Sequence, residues 1–299
     1  MKPFIANIPR RQIISLGRLL GSLLYVLANS HRRLVERNLQ FSHPEWSSER
    51  ISALTKLIFR NAGITLLEVC QLPFLTRKDL LGLFRVEGEE HLFNALRHNK
   101  SVIMVSAHMG NWEVGMQFFS CYFGRPFTGV ARNMRPLWLD RWLHDLRTRF
   151  GMRIIYKKGG LPEMTQTLRR REILGLLVDQ SRKKQGVAVM FFGREATATP
   201  AAALLAIRCK STVVPGFCIR DRDGQLTIRI KEPLEIIRTK DLRSDLQTNT
   251  QLMTNVVEEM VREYPDNWYW ILRPWKTAYP NLYREFEGRR QRRKARRKK

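Results

Sequence analysis

Apolar residues recur along this chain with two different periods. From Ile13 to about residue 70 they return every three to four positions, the helical spacing. In the first of these stretches Ile13, Leu16, Leu19, Leu20, Leu23, Leu24 and Leu27 make one stripe, and Ser15, Arg18, Ser22, Tyr25 and Asn29 make another. The helical pattern is interrupted near Phe41-Ser42-His43-Pro44, where Ser47 or Ser48 can cap the next helix, and Leu72-Pro73 closes it. A short helix from Glu89 to Arg97 follows. Beyond it, apolar runs at 102–106, 127–131, 153–156, 173–178, 187–192, 212–219 and 226–231 read as strands. Between them, 111–121, 137–149, 161–170, 200–208 and 242–263 read as helices.

Runs such as Ile173-Leu174-Gly175-Leu176-Leu177-Val178 are apolar throughout instead of alternating, which a strand needs only when both faces are covered. The pattern predicts a single α/β domain with a mostly parallel sheet of about seven strands and helices on both faces. Asp221-Arg222-Asp223-Gly224 reads as a hairpin turn joining the last two strands, so one edge is expected to be antiparallel. Residues 1–70 form an N-terminal helical layer that belongs to one folding unit with the α/β part at 71–287, and 288–299 form a disordered basic tail.

Charge changes the picture. The net charge is +26; the tail from Gly288 to Lys299 supplies nine positive charges and no acid, so the body is basic on its own account. Nucleic acid, an anionic membrane surface or an acidic protein would each suit such a chain. The stripe at 13–29, flanked by Arg10-Arg11 and His31-Arg32-Arg33, suits a helix lying in a membrane interface, and it is too short and too polar to span. Packing on the core explains the same stripe equally well. Nucleic-acid binding would need aromatic residues interleaved with basic ones, whereas Phe118, Phe119, Phe191 and Phe192 sit in apolar runs. Cys70, Cys121, Cys209 and Cys218 lie far apart with no metal-ligand spacing and read as reduced thiols.

The candidate chemistry lies where the strand 102–106 meets the next helix, in Ser106-Ala107-His108-Met109-Gly110-Asn111-Trp112-Glu113. Gly110 allows a sharp turn and Asn111 is a good N-cap. His108 then sits in the loop at the strand's carboxyl end with Glu113 in the first helical turn, where open α/β sheets place ligands. Glu113 could hold the imidazole tautomer while the other ring nitrogen takes a proton. His31 and Glu36 share the spacing, but within a continuous helix they point about 140° apart and read as a solvated face. Asp179, with Gln180 beside it, leaves its strand at the same edge and could bind a substrate hydroxyl, pair with an arginine or cap a turn. Arg132, Arg147 and Arg149 cluster nearby, and Arg147 and Arg149 are about 200° apart on a helix, so only one of those two can face the site.

Taken together, Leu16-Gly17-Arg18-Leu19-Leu20-Gly21, Arg37-Asn38-Leu39 with Pro44-Glu45, the His108–Glu113 segment, Val130-Ala131-Arg132, Asp179-Gln180, Phe191-Phe192-Gly193 with Ala196-Thr197, Val213-Val214-Pro215 and Tyr264-Pro265-x-x-Trp268-x-Trp270 resemble the bacterial lipid A biosynthesis (late) acyltransferases, the lauroyl/myristoyl transferase family. The resemblance runs from about residue 16 to 277. It implies an enzyme on the cytoplasmic face of the inner membrane that moves a fatty acyl group from acyl carrier protein to a hydroxyl of a lipid A precursor. By position, His108 and Glu113 match the family's catalytic dyad, Arg147 its functional arginine with Arg149 as the alternative, and Asp179 its acidic residue. His108 would deprotonate the acceptor, with Glu113 stabilising the imidazolium and helix amides or an arginine the oxyanion. No cofactor and no metal are implied. The partners implied are acyl carrier protein, the anionic membrane surface and the glycolipid. A phosphatidylinositol mannoside or an amino-acid lipid is the alternative acceptor.

Overall fold

The computed structural model describes residues 4–97, 101–181 and 186–287; the basic tail at 288–299 lies outside them. Three helices lead the chain: α1 (Arg10–Leu27), α2 (Asn29–Ser42) and α3 (Ser48–Gln71). Ser47 caps α3 by accepting from the Arg50 amide. The helical pattern before residue 41 conceals a break at Ala28, where the axis turns by 91°.

The α/β part follows as α4 (Arg77–Gly82), β1 (Phe84–Glu87), α5 (Glu89–Arg97), β2 (Val102–Ser106), α6 (Trp112–Tyr122), β3 (Phe127–Ala131), α7 (Leu137–Thr148), β4 (Arg153–Tyr156), α8 (Leu161–Arg169) and β5 (Ile173–Leu177). After these come β6 (Val187–Phe191), β7 (Arg194–Ala198), α9 (Ala201–Cys209), β8 (Thr212–Arg220), β9 (Leu226–Ile230) and α10 (Leu242–Glu263). Among the described residues the main sheet has seven strands in the order β1-β9-β8-β2-β5-β3-β4. All pairs are parallel except β8–β9.

Two strands escape the sequence pattern, and the sheet is redrawn by them. Phe84-Arg85-Val86-Glu87 is only four residues long and pairs outside β9, so the antiparallel hairpin is not the edge. Arg194-Glu195-Ala196-Thr197-Ala198 has one β-branched residue and no large apolar one to mark a strand, yet pairs with β6. These two form a separate ribbon, so 187–192 is no part of the main sheet.

Along β2 the pleat sends Val102 and Met104 into one core and Ile103 and Val105 into another. The first is closed by α4, α5, α6 and α7, and the second by α8, α9 and α10. A third core joins the N-terminal helices to the C-terminal segment, where Leu34, Val35, Leu39 and Ile58 meet Trp268, Trp270, Trp275 and Tyr283. Asn38 fixes that join, donating to the Trp270 and Leu272 carbonyls and accepting from the Tyr283 hydroxyl.

Helix α1 lies against α3 with almost no side chain between them. A Cβ added at Gly63 would stand 2.2 Å from the Gly17 carbonyl oxygen, and one at Gly21 2.2 Å from that of Phe59. Helix α1 is seated by Ile13, Ile14, Gly17 and Gly21, while Leu16, Leu19, Leu23, Val26 and Leu27 face outward and are exposed. One face of this helix therefore packs on the core as expected, and the other leaves an apolar row exposed. Gly63→Ala should force the two backbones apart and lower stability by about 1–3 kcal/mol, as overpacking does. Denaturant unfolding of the variant measures it.

Candidate active site

His108 stands two residues past the last paired residue of β2, and Asp179 two residues past that of β5. The last register pair of these neighbouring parallel strands is Ser106 with Leu177. Equal offsets from one register pair bring the two side chains together at the carboxyl edge. The His108 Nδ1–Asp179 Oδ1 distance is 2.7 Å, and the His108 backbone amide donates to Oδ2 at 2.8 Å. The Trp268 indole N–H also donates to Oδ2, at 2.8 Å. Asp179 is fully buried, so its charge rests on these three donors.

The loop is held from behind. Gly110 adopts φ +52°, and a Cβ there would fall 2.5 Å from the Cys218 carbonyl oxygen. Its amide donates to the Asn267 carbonyl, and Tyr269 donates to the His108 carbonyl. Asn111 caps α6 through its side-chain oxygen to the Val114 amide, as its residue type predicts. Its amide nitrogen donates at 2.7 Å to buried Glu68, which also accepts from Arg220 and Arg10.

Here the spacing argument needs correction. Glu113 does not hold the imidazole; Arg147 takes its carboxylate in a two-pronged ion pair, Nε to Oε2 at 2.8 Å. An acid in the first turn of α6 faces the inner side of α7, and its orienting partnership with His108 falls to Asp179 instead. Glu113 still acts on His108 through its charge. Of the arginines, Arg147 and Arg132 line the cavity, while Arg149 is exposed, its guanidinium 5.6 Å from the Phe150 ring centre. His31 is exposed and Glu36 pairs with Arg32, the solvated face expected.

Two contributors were not assigned a role from sequence. Trp268 was visible only within a motif, and its bond to Asp179 spans 89 residues. Gln180 lies with its amide nitrogen 3.2 Å from His108 Nε2, and Arg132 donates to its carbonyl oxygen at 3.4 Å. With Asp179 accepting from Nδ1–H, Nε2 is left as the acceptor, the form a base requires.

His108 Nε2 faces a cavity of about 700 Å3. Its mouth carries Arg132, Met134 and Leu161; its apolar wall carries Met116, Gly129, Val130, Met152, Ile154 and Leu176. Such a space, polar at the base and apolar along the wall, accommodates a hydrocarbon chain with its reactive end at the imidazole. Burial opposes charging of the ring, but the carboxylate of Asp179 and its hydrogen bond prevail, and the pKa lies above the ordinary 6.5. Burial likewise opposes the charge on Asp179, whose pKa is nevertheless lowered by His108 and the three donors.

A mostly parallel sheet thus carries a buried histidine–carboxylate pair at its carboxyl edge, facing a largely apolar cavity. The chain belongs to the bacterial lipid A biosynthesis acyltransferase family, whose model matches residues 3–277, and it is an O-acyltransferase. It is 27% identical over 278 residues to the lipid A biosynthesis lauroyltransferase of Escherichia coli, covering 91% of this chain and 88% of that one. The phosphatidylinositol mannoside acyltransferase of Mycolicibacterium smegmatis is 26% identical over 213 residues, covering 70% and 67%. Among solved structures, a 1-acyl-sn-glycerophosphate acyltransferase from Thermotoga maritima aligns over 85% of this chain and 97% of its own, at 14% identity and a TM-score of 0.36.

The site makes a signed prediction about pH. A base must be neutral, so kcat/KM should rise with pH through an inflection above 6.5. Asp179→Asn removes the charge that raises this pKa and leaves the burial that lowers it. The inflection should move to lower pH while the plateau rate falls, and a pH–rate profile of both proteins tests this.

Proposed function

We propose that this enzyme transfers a fatty acyl group from an acyl carrier protein thioester to a hydroxyl of a lipid A precursor. The observation that carries the reading is the His108–Asp179 pair aimed into an apolar cavity. The acceptor hydroxyl displaces the Gln180 amide and gives its proton to Nε2, while the oxygen attacks the thioester carbonyl. Asp179 keeps Nδ1 protonated and stabilises the imidazolium. Glu113 is tied to Arg147 in the cavity wall, and the two charges act on the imidazole with opposite sign. The oxyanion of the tetrahedral intermediate is met by the freed Gln180 amide, by Arg132 or by the first amides of α6. Collapse expels the carrier thiolate, which takes the proton from His108. This chemistry is complete with the chain's own residues.

A lipid A acceptor is supported by the family and by the extent of similarity: the lauroyltransferase relative matches over 91% of this chain, the mannoside acyltransferase over 70%. A basic surface suits both the acidic carrier and a phosphorylated glycolipid. Attachment to the cytoplasmic face of the inner membrane is supported by the outward row Leu16, Leu19, Leu23, Val26 and Leu27. Among the described residues no single helix is long and apolar enough to cross a membrane.

Two measurements test the reading. His108→Ala should lower acyl transfer from acyl carrier protein by roughly 100- to 10,000-fold, the worth of a positioned base, with the fold checked by circular dichroism. Near-normal transfer by that variant would refute the mechanism. For attachment, the protein should sediment with anionic vesicles, less so at high salt and less so when Leu19 and Leu23 are changed to serine or residues 288–299 are removed. Retention that only detergent reverses would point instead to a deeply inserted anchor.

A further inference from the structure

Helix α7 begins with its apolar residues facing outward. Leu137 is 68% exposed and Trp138 69%, whereas Trp268, Trp270 and Trp275 are fully buried. Trp142, one turn along, and Met134 and Leu161 are exposed as well. Met134 and Leu161 also line the cavity, so this apolar surface continues its mouth. Single exposed apolar residues are ordinary, but a group of five calls for a partner.

Exposed cations surround the group: Arg132, Arg135, Arg141 and Lys158. Asp140, the acid in the first turn of α7, is turned back to accept from the Met134 amide at 2.7 Å. Asp145 shares the outer face of the helix but lies about 10 Å farther along than Trp138. The surface at the mouth is thus apolar at its centre and positive at its rim.

Its position in the fold adds an independent argument. Helix α7 leaves the carboxyl end of β3, and the hairpin at Asp221–Gly224 leaves the carboxyl end of β8, which runs parallel to β3 through β2 and β5. Helix α1 is fastened to that hairpin, Arg10 donating to the Gly224 carbonyl and Arg18 to that of Arg222. The outward apolar rows of α1 and α7 therefore stand off the same edge of the sheet, the edge that carries His108.

We propose that the start of α7 is a second membrane contact, made with an anionic lipid surface. Leu137 and Trp138 enter the head-group region, where indole side chains are favoured because one end is apolar and the other polar. Arg135, Arg141 and Lys158 meet lipid phosphates. The cavity mouth is then held at the bilayer, and an acceptor lipid reaches His108 without passing through water. This rests on the acyltransferase reading given above.

The test uses the full chain with Leu137→Ser and Trp138→Ser combined; both side chains are solvated, so no core is disturbed. Partition onto vesicles of phosphatidylethanolamine and phosphatidylglycerol should fall about tenfold, and transfer to acceptor embedded in those vesicles should fall with it. The KM for the carrier-protein thioester should not change. In a second measurement, brominated phosphatidylglycerol should quench the fluorescence of the native chain more than that of Trp138→Phe. Unchanged partition, or equal quenching, overturns the proposal. So does intact partition with a raised KM for the thioester, which would make the surface a docking site for the acidic carrier. Partition and quenching need no turnover, so they stand apart from failure of the enzymatic reading, which would appear as transfer retained by His108→Ala.

Discussion

One buried carboxylate joins the parts of this molecule that must agree. Glu68, on α3, accepts from Arg220 at the end of β8, from Arg10 at the start of α1, and from Asn111, the cap of α6. Burial works against its charge, yet its pKa is lowered because two guanidiniums and an amide meet it. Removing one partner of such a group leaves an uncompensated charge, typically costing about 3–5 kcal/mol. The helical layer, the sheet and the loop of His108 are therefore not free to shift independently. Asn111 shows how this reaches the site: its amide nitrogen points to Glu68, so its oxygen must point to the helix end that carries Glu113.

The carboxyl edge then does what parallel sheets do. Side chains that follow adjacent strands at equal register converge, and the pleat decides which core each preceding residue enters. The site uses this to pair His108 with Asp179, and the loop at Asn267-Trp268-Tyr269, which follows α10, is added by an isolated bridge between Met109 and Trp268. The aromatic cluster around Trp268 excludes water from one side of Asp179, and the cavity opens on the other side of the ring. An imidazole fixed by backbone register needs little help from its own rotamer preferences.

Much of this was legible in the sequence, and the failures have a common cause. The strands at 102–106, 127–131 and 173–178 announce themselves because covering both faces demands unbroken apolar runs. Gly110 and Asn111 announce the turn because few residues suit those backbone positions. The candidate residues His108, Glu113, Arg132 and Arg147 meet at one cavity, with Asp179 buried behind His108. What spacing could not tell was who bonds to whom. The Glu113 partnership is local and visible as five residues; the Asp179 partnership depends on β2 lying beside β5, a fact of strand order 71 residues away. The four residues of β1 and the small side chains of β7 carry too little pattern to be seen; β1 is what moved the hairpin in from the edge, and β7 is what drew β6 into a separate ribbon. The bend at Ala28 left no trace because both helices share one apolar period.

That His108 and Asp179 are placed by the central ladder has a consequence for how the enzyme fails. β2 and β5 each have neighbours on both sides, and the amide of Val178 still bonds the Ser106 carbonyl beyond the last paired residues. Segments of this kind belong to the most cooperative part of a protein and open only with the whole. The imidazole and its carboxylate thus have no low-energy route of separation of their own. Warming should leave the pair intact until the molecule melts as a unit, so loss of turnover and loss of fold should share one transition, without an inactive yet folded species before it.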